Sequence, residues 1–274
     1  MAIVEGRSDI WVYELARDTL TRLTSDPVNA QGPVWTPDGR RIVFASPRAD
    51  TSTFNLYWQR ADGTGDAQRL TESKNQQTPG SWHPSGRFLA FHEQNPTTNW
   101  DLMILPMEGD DVSGWKPGKP FVFLNGPDVE EFPEFSPDGR WLAYASRDTG
   151  RLEVYVRPFP GPGGRTQISS GGGIYPIWSG TKHEIFYGTY GTPDPHIMVA
   201  AYSVEGDSLR AEKPRRWSEA RYAGNRPWRN FDLHPDGERF AIAPGLQAPG
   251  GANQDKVVFI FNVFDELRRI APAR

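Results

Sequence analysis

The chain has 274 residues, a formal net charge of −4 and acidic and basic side chains mixed along its length. That length is ample for one large domain with a buried core, and the lack of a basic stripe excludes a nucleic-acid electrostatic footprint. There is no cysteine, which excludes disulfides, thiolate catalysis and cysteine-held metals.

No uninterrupted apolar run approaches the length of a membrane span, so this chain is expected not to insert into a membrane. Its first seven residues have neither the basic start nor the apolar stretch of a signal peptide, so any export signal is expected upstream of them. Gly and Pro are frequent, at 28 and 25 residues, which suits many tight turns and disfavours long helices.

In chain order, residues 2–5, 9–13 and 21–24 read as three short strands, most of a four-stranded unit without its first strand. A repeated hairpin follows. Trp35-Thr36-Pro37-Asp38-Gly39 runs into the apolar strand Ile42-Val43-Phe44, and Trp82-His83-Pro84-Ser85-Gly86 runs into Phe88-Leu89-Ala90-Phe91. Phe135-Ser136-Pro137-Asp138-Gly139 and Leu233-His234-Pro235-Asp236-Gly237 repeat the pattern, and Trp178-Ser179-Gly180-Thr181-Lys182 is a decayed copy. Pro sets the first corner, Asp hydrogen-bonds nearby amides, and Gly takes the left-handed conformation that closes the turn. Each hairpin is followed by a third strand (residues 55–58, 101–105, 153–156 and 197–200). A fourth usually comes next (68–71, 121–124 and 166–169). After the last hairpin, residues 257–262 supply a third strand and residues 264–270 have helical spacing.

Four short antiparallel strands per unit, recurring every 43 to 55 residues, predict an all-β propeller. Four full and two incomplete blades predict six, at about 2–24, 30–71, 77–125, 130–170, 174–218 and 228–263. They form a single domain over 1–274 with a short C-terminal helix. Incomplete ends fit a chain that is part of a longer protein.

The repeat resembles the TolB-type propeller repeat, found in the periplasmic TolB protein and in propellers of tricorn and prolyl oligopeptidase type. Ser8-Asp9-Ile10-Trp11-Val12-Tyr13-Glu14-Leu15, Tyr155-Val156-Arg157-Pro158-Phe159-Pro160-Gly161 and Asn262-Val263-Phe264-Asp265-Glu266-Leu267 are similar to the C-terminal propellers of bacterial membrane-bound serine/threonine kinases. The resemblance implies a sensor or docking module in a periplasmic or extracytoplasmic setting. Kinase activity does not carry over, because no kinase domain or membrane helix is present in this sequence.

A search for chemistry finds little. No Gly-x-Ser-x-Gly elbow occurs, and Ser169-Ser170-Gly171-Gly172-Gly173 reads as a flexible loop between blades. That glycine run and Gly161-Pro162-Gly163-Gly164 precede no helix, so neither predicts an anion site. His83, His92, His183, His196 and His234 show no zinc-ligand spacing. His83 and His234 fall at a turn position held elsewhere by Ser136 and Ser179. No catalytic residue, metal or cofactor is therefore expected. Arg48 and Arg147, at similar strand ends, are read as structural.

A propeller's ligands sit where the loops entering the innermost strands converge. Aligning the hairpins puts Gln31, Gln77, Glu131, Tyr175 and Arg229 at a mixed polar mouth, with Trp228 close by. The loops 47–53, 94–99, 190–196 and 245–254 are expected on the same face. The expected function is non-enzymatic binding of a protein or peptide by a monomer. The alternatives are a metal-dependent channel enzyme of the propeller lyase kind and a non-catalytic remnant of a larger receptor kinase or peptidase.

Overall fold

The structure, a computed structural model, describes residues 2–4, 7–14, 17–48, 52–109, 114–222, 229–242 and 258–261. Every regular element among them is a β-strand. The chain divides into two compact units, Met1–Gly139 and Arg140–Arg274.

In the first unit, β1 (Ala2–Val4) pairs with β2 (Arg7–Asp9), and β3 (Trp11–Glu14) pairs with β4 (Thr19–Arg22). A complete antiparallel sheet follows: β5 (Gln31–Trp35), β6 (Arg41–Ser46), β7 (Asn55–Arg60) and β8 (Gln68–Arg69), in that order. The next sheet runs β9 (Gln77–Trp82), β10 (Phe88–Asn95) and β11 (Asn99–Glu108). Two short strands, β12 (Lys116–Pro117) and β13 (Phe121–Leu124), both pair with β11. The unit ends with β14 (Glu130–Phe135), which packs on β9 and β10.

The second unit opens with β15 (Trp141–Ser146), β16 (Glu153–Pro158) and β17 (Thr166–Gln167), each antiparallel to the next. It continues with β18 (Gly173–Trp178), β19 (Glu184–Thr189) and β20 (His196–Glu205). Both β21 (Ser208–Ala211) and β22 (Arg215–Arg221) pair with β20. The last sheet holds β23 (Phe231–Leu233), β24 (Arg239–Ile242) and β25 (Val258–Phe261). Two sheets thus carry five strands where four were expected. Their third strands, β11 and β20, run ten residues, and the extra length pairs with β12 and β21. The expected helix over 264–270 lies outside the described residues.

The repeated turn closes as its residues dictate. The amides of Gly39, Gly86, Gly139 and Gly237 donate to the carbonyls of Thr36, His83, Ser136 and His234, each at 2.9 Å and each with φ between 67° and 74°. Thr36 Oγ1 caps the first turn by accepting from the Arg41 amide at 3.0 Å. His83 and His234 serve the same end, since Nδ1 of each accepts an amide two residues on at 3.2 Å.

Strand periodicity places alternate residues of β6 against different neighbours. Ile42 and Phe44 join Ile10, Leu23 and Tyr57, whereas Val43 and Ala45 join Leu56, Trp58, Trp82, Leu89 and Phe91. A strand buried on both faces needs a continuous apolar run, and each large side chain so covered contributes about 1.5–3 kcal/mol. In the second unit, Trp141, Val154, Val156, Trp178, Ile185 and Tyr187 form the equivalent core. Trp35 departs from its counterparts: it is 50% exposed, against 9% for Trp82 and 6% for Phe135 and Trp178. Trp82 stacks on Trp58 of the preceding sheet, with ring centroids 6.5 Å apart. The residue aligned with Trp58 ahead of Trp35 is Val12, too small to cover an indole.

His83 stands edge-on to Phe88 and Phe135, with ring centroids 5.7 and 5.2 Å away. Burial pushes its imidazole below the ordinary value of 6.5, outweighing the Gly139 backbone and the Asp138 carboxylate, which push it up. The folded state therefore binds fewer protons than the unfolded chain below pH 6.5, and the stability His83 contributes is lost as pH falls through that range. Urea midpoints measured from pH 7.5 to 5.5 are expected to fall less steeply in His83→Gln than in the wild type; parallel slopes would count against this account.

Candidate functional site

One buried polar clip recurs three times, at Asp9, just before β3, and at Asn55 and Glu153, which open β7 and β16. Asp9, Asn55 and Glu153 are each 2% exposed. A hydroxyl two residues past the end of β4, β8 or β17 caps the adjoining amide in each: Ile10 on Thr24 (2.9 Å), Leu56 on Thr71 (3.0 Å) and Val154 on Ser169 (2.8 Å). Arg22 donates to Asp9 Oδ2 and Arg69 to Asn55 Oδ1, both at 2.8 Å. Around Glu153 the donors are Ser169 Oγ at 2.5 Å and the amides of Gly171 and Gly172 at 2.9 and 3.0 Å. The glycine run expected to be a flexible loop is thus an anion cradle for a carboxylate of the chain itself. Sequence spacing could not show this, because the anion comes from 18 residues away.

The second sheet breaks this pattern. Asp101, 3% exposed, turns to its own hairpin and accepts from Asn95 Nδ2 at 3.0 Å and Thr98 Oγ1 at 2.8 Å. Its Oδ1 has no partner among the described residues. The 95–98 turn it pins borders a cavity of about 590 Å³. Five amide side chains line that cavity: Asn75, Gln76, Gln94, Asn95 and Asn99. Lys74, Thr97 and Ser52-Thr53 of the 47–53 loop complete the polar wall. Two of the loops expected to share a face, 47–53 and 94–99, therefore meet around one space. Lys74 makes no ion pair among the described residues.

The cavity wall is braced from behind. Glu93 accepts from Asn75 Nδ2 at 3.0 Å and from Gln77 Nε2 at 2.6 Å, while Gln77 Oε1 accepts from Thr71. The Gln94 amide donates to the Gln76 carbonyl at 2.8 Å. Gln77 is 2% exposed, so it supports the wall and does not line the space. Gln31 begins β5, half-buried, and Glu131 is buried near the start of β14. β5 packs on β9 and β9 on β14, so the strands that carry these three residues are neighbours.

In the second unit Tyr175 has φ 57°, as does Phe132 in the first, and Gly32 has φ 63°. All three stand three residues before the hairpin aromatic. In β5 and β18 the register shifts by one at this place, so the strand carries a bulge there. The bulge buries Tyr175, which is 2% exposed and edge-on to Phe231 at 6.1 Å. Arg229 is exposed and pairs with Asp232 at 3.2 Å. Trp228 and the 245–254 loop lie outside the described residues. The 190–196 loop ends in a cluster the sequence did not single out: buried His196 reaches Asp194 at 2.7 Å, and Arg221 Nε reaches it at 2.6 Å. The His196 hydrogen bond, with Arg221 beside it, holds the Asp194 carboxyl below its usual range. Arg48, treated above as structural, pairs with Asp26 and lies over the rings of Phe44 and Tyr57 at 5.5 and 5.6 Å.

No protein-family model matches the chain. Among solved structures it is similar to TolB from Acinetobacter baumannii, with a TM-score of 0.59 and 15% identity over 91% of this chain and 55% of that one. The Kuenenia stuttgartiensis hydrazine synthase gives a TM-score of 0.67 at 13% identity, over 94% of this chain and 40% of that one. The fold is a TolB-type β-propeller. Oligogalacturonate lyase from Vibrio parahaemolyticus is also similar, with a TM-score of 0.54 and 14% identity over 95% of this chain and 70% of that one. By sequence, the propeller is 30% identical over 146 residues to an uncharacterized protein, Atu1656, of Agrobacterium fabrum, covering 50% of this chain and 46% of that protein. It is 25% identical over 170 residues to an uncharacterized peptidase, YuxL, of Bacillus subtilis, covering 52% of this chain and 25% of that protein. The matches thus span less than half the length of these relatives. Proteins of this fold include both TolB and enzymes, so function rests on the site.

Proposed function

We propose that the propeller is a binding module without a catalytic role, taking an extended segment of a protein or peptide at the loop end of its first unit. The observation that carries this is the amide-lined cavity. Asn and Gln side chains offer a donor and an acceptor together, which matches the carbonyl and N–H of an extended backbone. Lys74 supplies a cation for an acidic side chain or a terminal carboxylate. Its volume, about 590 Å³, lies within the range of sites that bury a small ligand or a few residues. The resemblance to TolB-type and kinase-linked propellers supports an extracytoplasmic setting. Among the described residues no helix is long and apolar enough to cross a membrane.

The test is titration of immobilised random hexapeptides against wild type, Lys74→Glu and a Gln76→Ala/Gln94→Ala double variant. Enriched sequences should carry an acidic residue and lose at least tenfold in affinity to both variants. Equal retention by all three proteins would remove this cavity from the function. Gln31, Glu131 and Arg229 are the further positions to substitute in the same assay. The competing reading is a metal-dependent lyase. Among the described residues no three His, Asp or Glu side chains could share a metal ion. Stoichiometric metal in the purified protein, lost on replacing His196, would favour the enzyme.

A further inference from the structure

Successive hairpin turns within each unit face one another across a wedge, and in two cases a side chain fills it. The imidazole of His83 lies so close over Gly139 that a Cβ there would overlap Nε2. Thr181 covers Gly237 in the same way and donates to the Asp236 carbonyl at 3.3 Å. Between the first two hairpins the wedge is open. Thr36 stands where His83 stands in the next copy, and a Cβ added at Gly86 would meet nothing within 4 Å. The space left is a cavity of about 290 Å³, on the turn side of the unit.

Its walls differ from those of the amide cavity. Trp58, Trp82 and Trp115 line it, together with Met107. Arg41 lies over the Trp58 ring at 4.6 Å and makes no ion pair among the described residues. Asp38 also borders the space, so one cation and one anion leave the lining without net charge. Trp82, 9% exposed, keeps its indole N–H without an acceptor among the described residues. Three indole side chains in the lining favour an aromatic ring, and the guanidinium donors of Arg41 favour a neutral acceptor on it.

We propose that this wedge is a second binding site, which takes an aromatic ring bearing a neutral amide. A free aromatic amide and an aromatic residue within a peptide share that chemistry. The inference is independent of the proposed function, because the amide cavity uses none of these residues.

The decisive variant is Thr36→His, which closes the wedge as His83 closes the next one. Histidine already occupies this turn position in two copies, so the turn is expected to keep its cap. Binding of N-acetyl-L-tyrosinamide is measured by saturation-transfer NMR and calorimetry, with N-acetyl-L-leucinamide as the non-aromatic control. The expected result is binding of the tyrosine amide in preference to the leucine amide, reduced at least tenfold in Thr36→His with an unchanged Tm. If Thr36→His fails to fold, Trp115→Ala is expected to give the same loss. A pentapeptide with a central tyrosine identifies the source: tighter binding than the amide means a peptide, equal or weaker binding means a free small molecule, and either upholds the site. No binding to the wild type, or undiminished binding to a folded variant, would overturn it.

Discussion

Glu153→Ala is expected to lower the unfolding free energy by about 3–5 kcal/mol, the range for breaking a buried charge arrangement by removing one partner. The carboxylate is 2% exposed, accepts from Ser169 Oγ and from two glycine amides, and forms an ion pair with Arg151 at 3.2 Å. Truncation leaves the Gly171 and Gly172 amides without an acceptor, and the buried one, that of Gly172, costs about 1–3 kcal/mol as an orphan donor. It also frees the turn that leads from β17 to β18, the inner strand of the next sheet. Urea unfolding should show a lower midpoint at unchanged slope. Glu153→Gln keeps the shape and two acceptor lone pairs, so its loss should be clearly smaller. A loss within about 0.5 kcal/mol for the alanine variant, the level of an ordinary surface change, would mean the cradle holds nothing.

The second large effect separates two adjacent glycines. Gly171 and Gly172 have φ of 94° and 107°, so alanine at either is strained by about 1–3 kcal/mol. At Gly171 an added Cβ meets nothing within 4 Å. At Gly172 it would overlap the carbonyl oxygen of Tyr190, a backbone atom that no rotamer change can move aside. Overpacking of this kind adds about 1–3 kcal/mol. Gly172→Ala should therefore be the less stable variant by at least about 1 kcal/mol, read from paired thermal and urea transitions. Equal losses would show that the Tyr190 backbone gives way freely.

Much of the molecule was legible because its signals are local. Pro37, Asp38 and Gly39 and their counterparts specify a turn within four residues, so the hairpins were readable without any tertiary information. The third strands were readable for a similar reason: apolar runs such as Leu56-Tyr57-Trp58 must be covered on both faces. The end of the first unit that holds the amide-lined cavity was legible in part. The 47–53 and 94–99 loops do border one cavity, while of the residues aligned ahead of each hairpin aromatic Gln77, Glu131 and Tyr175 are buried, Gln31 is half-buried and Arg229 is exposed. Gln77 is held by Thr71 and Glu93, and the bulge buries Tyr175.

What the sequence by itself determined is the repeat: an antiparallel strand unit closed by a Pro-Asp-Gly turn, and hence a propeller. That follows because turn closure and two-sided strand burial depend on neighbours a few residues away. Only the tertiary structure decided which copies depart from the pattern. Asp101 turns to its own loop, Glu153 draws in a glycine run, and Thr36 leaves open the wedge that His83 fills one sheet later. Each depends on the size and charge of side chains in separate strands or turns, and chain spacing carries no record of those meetings.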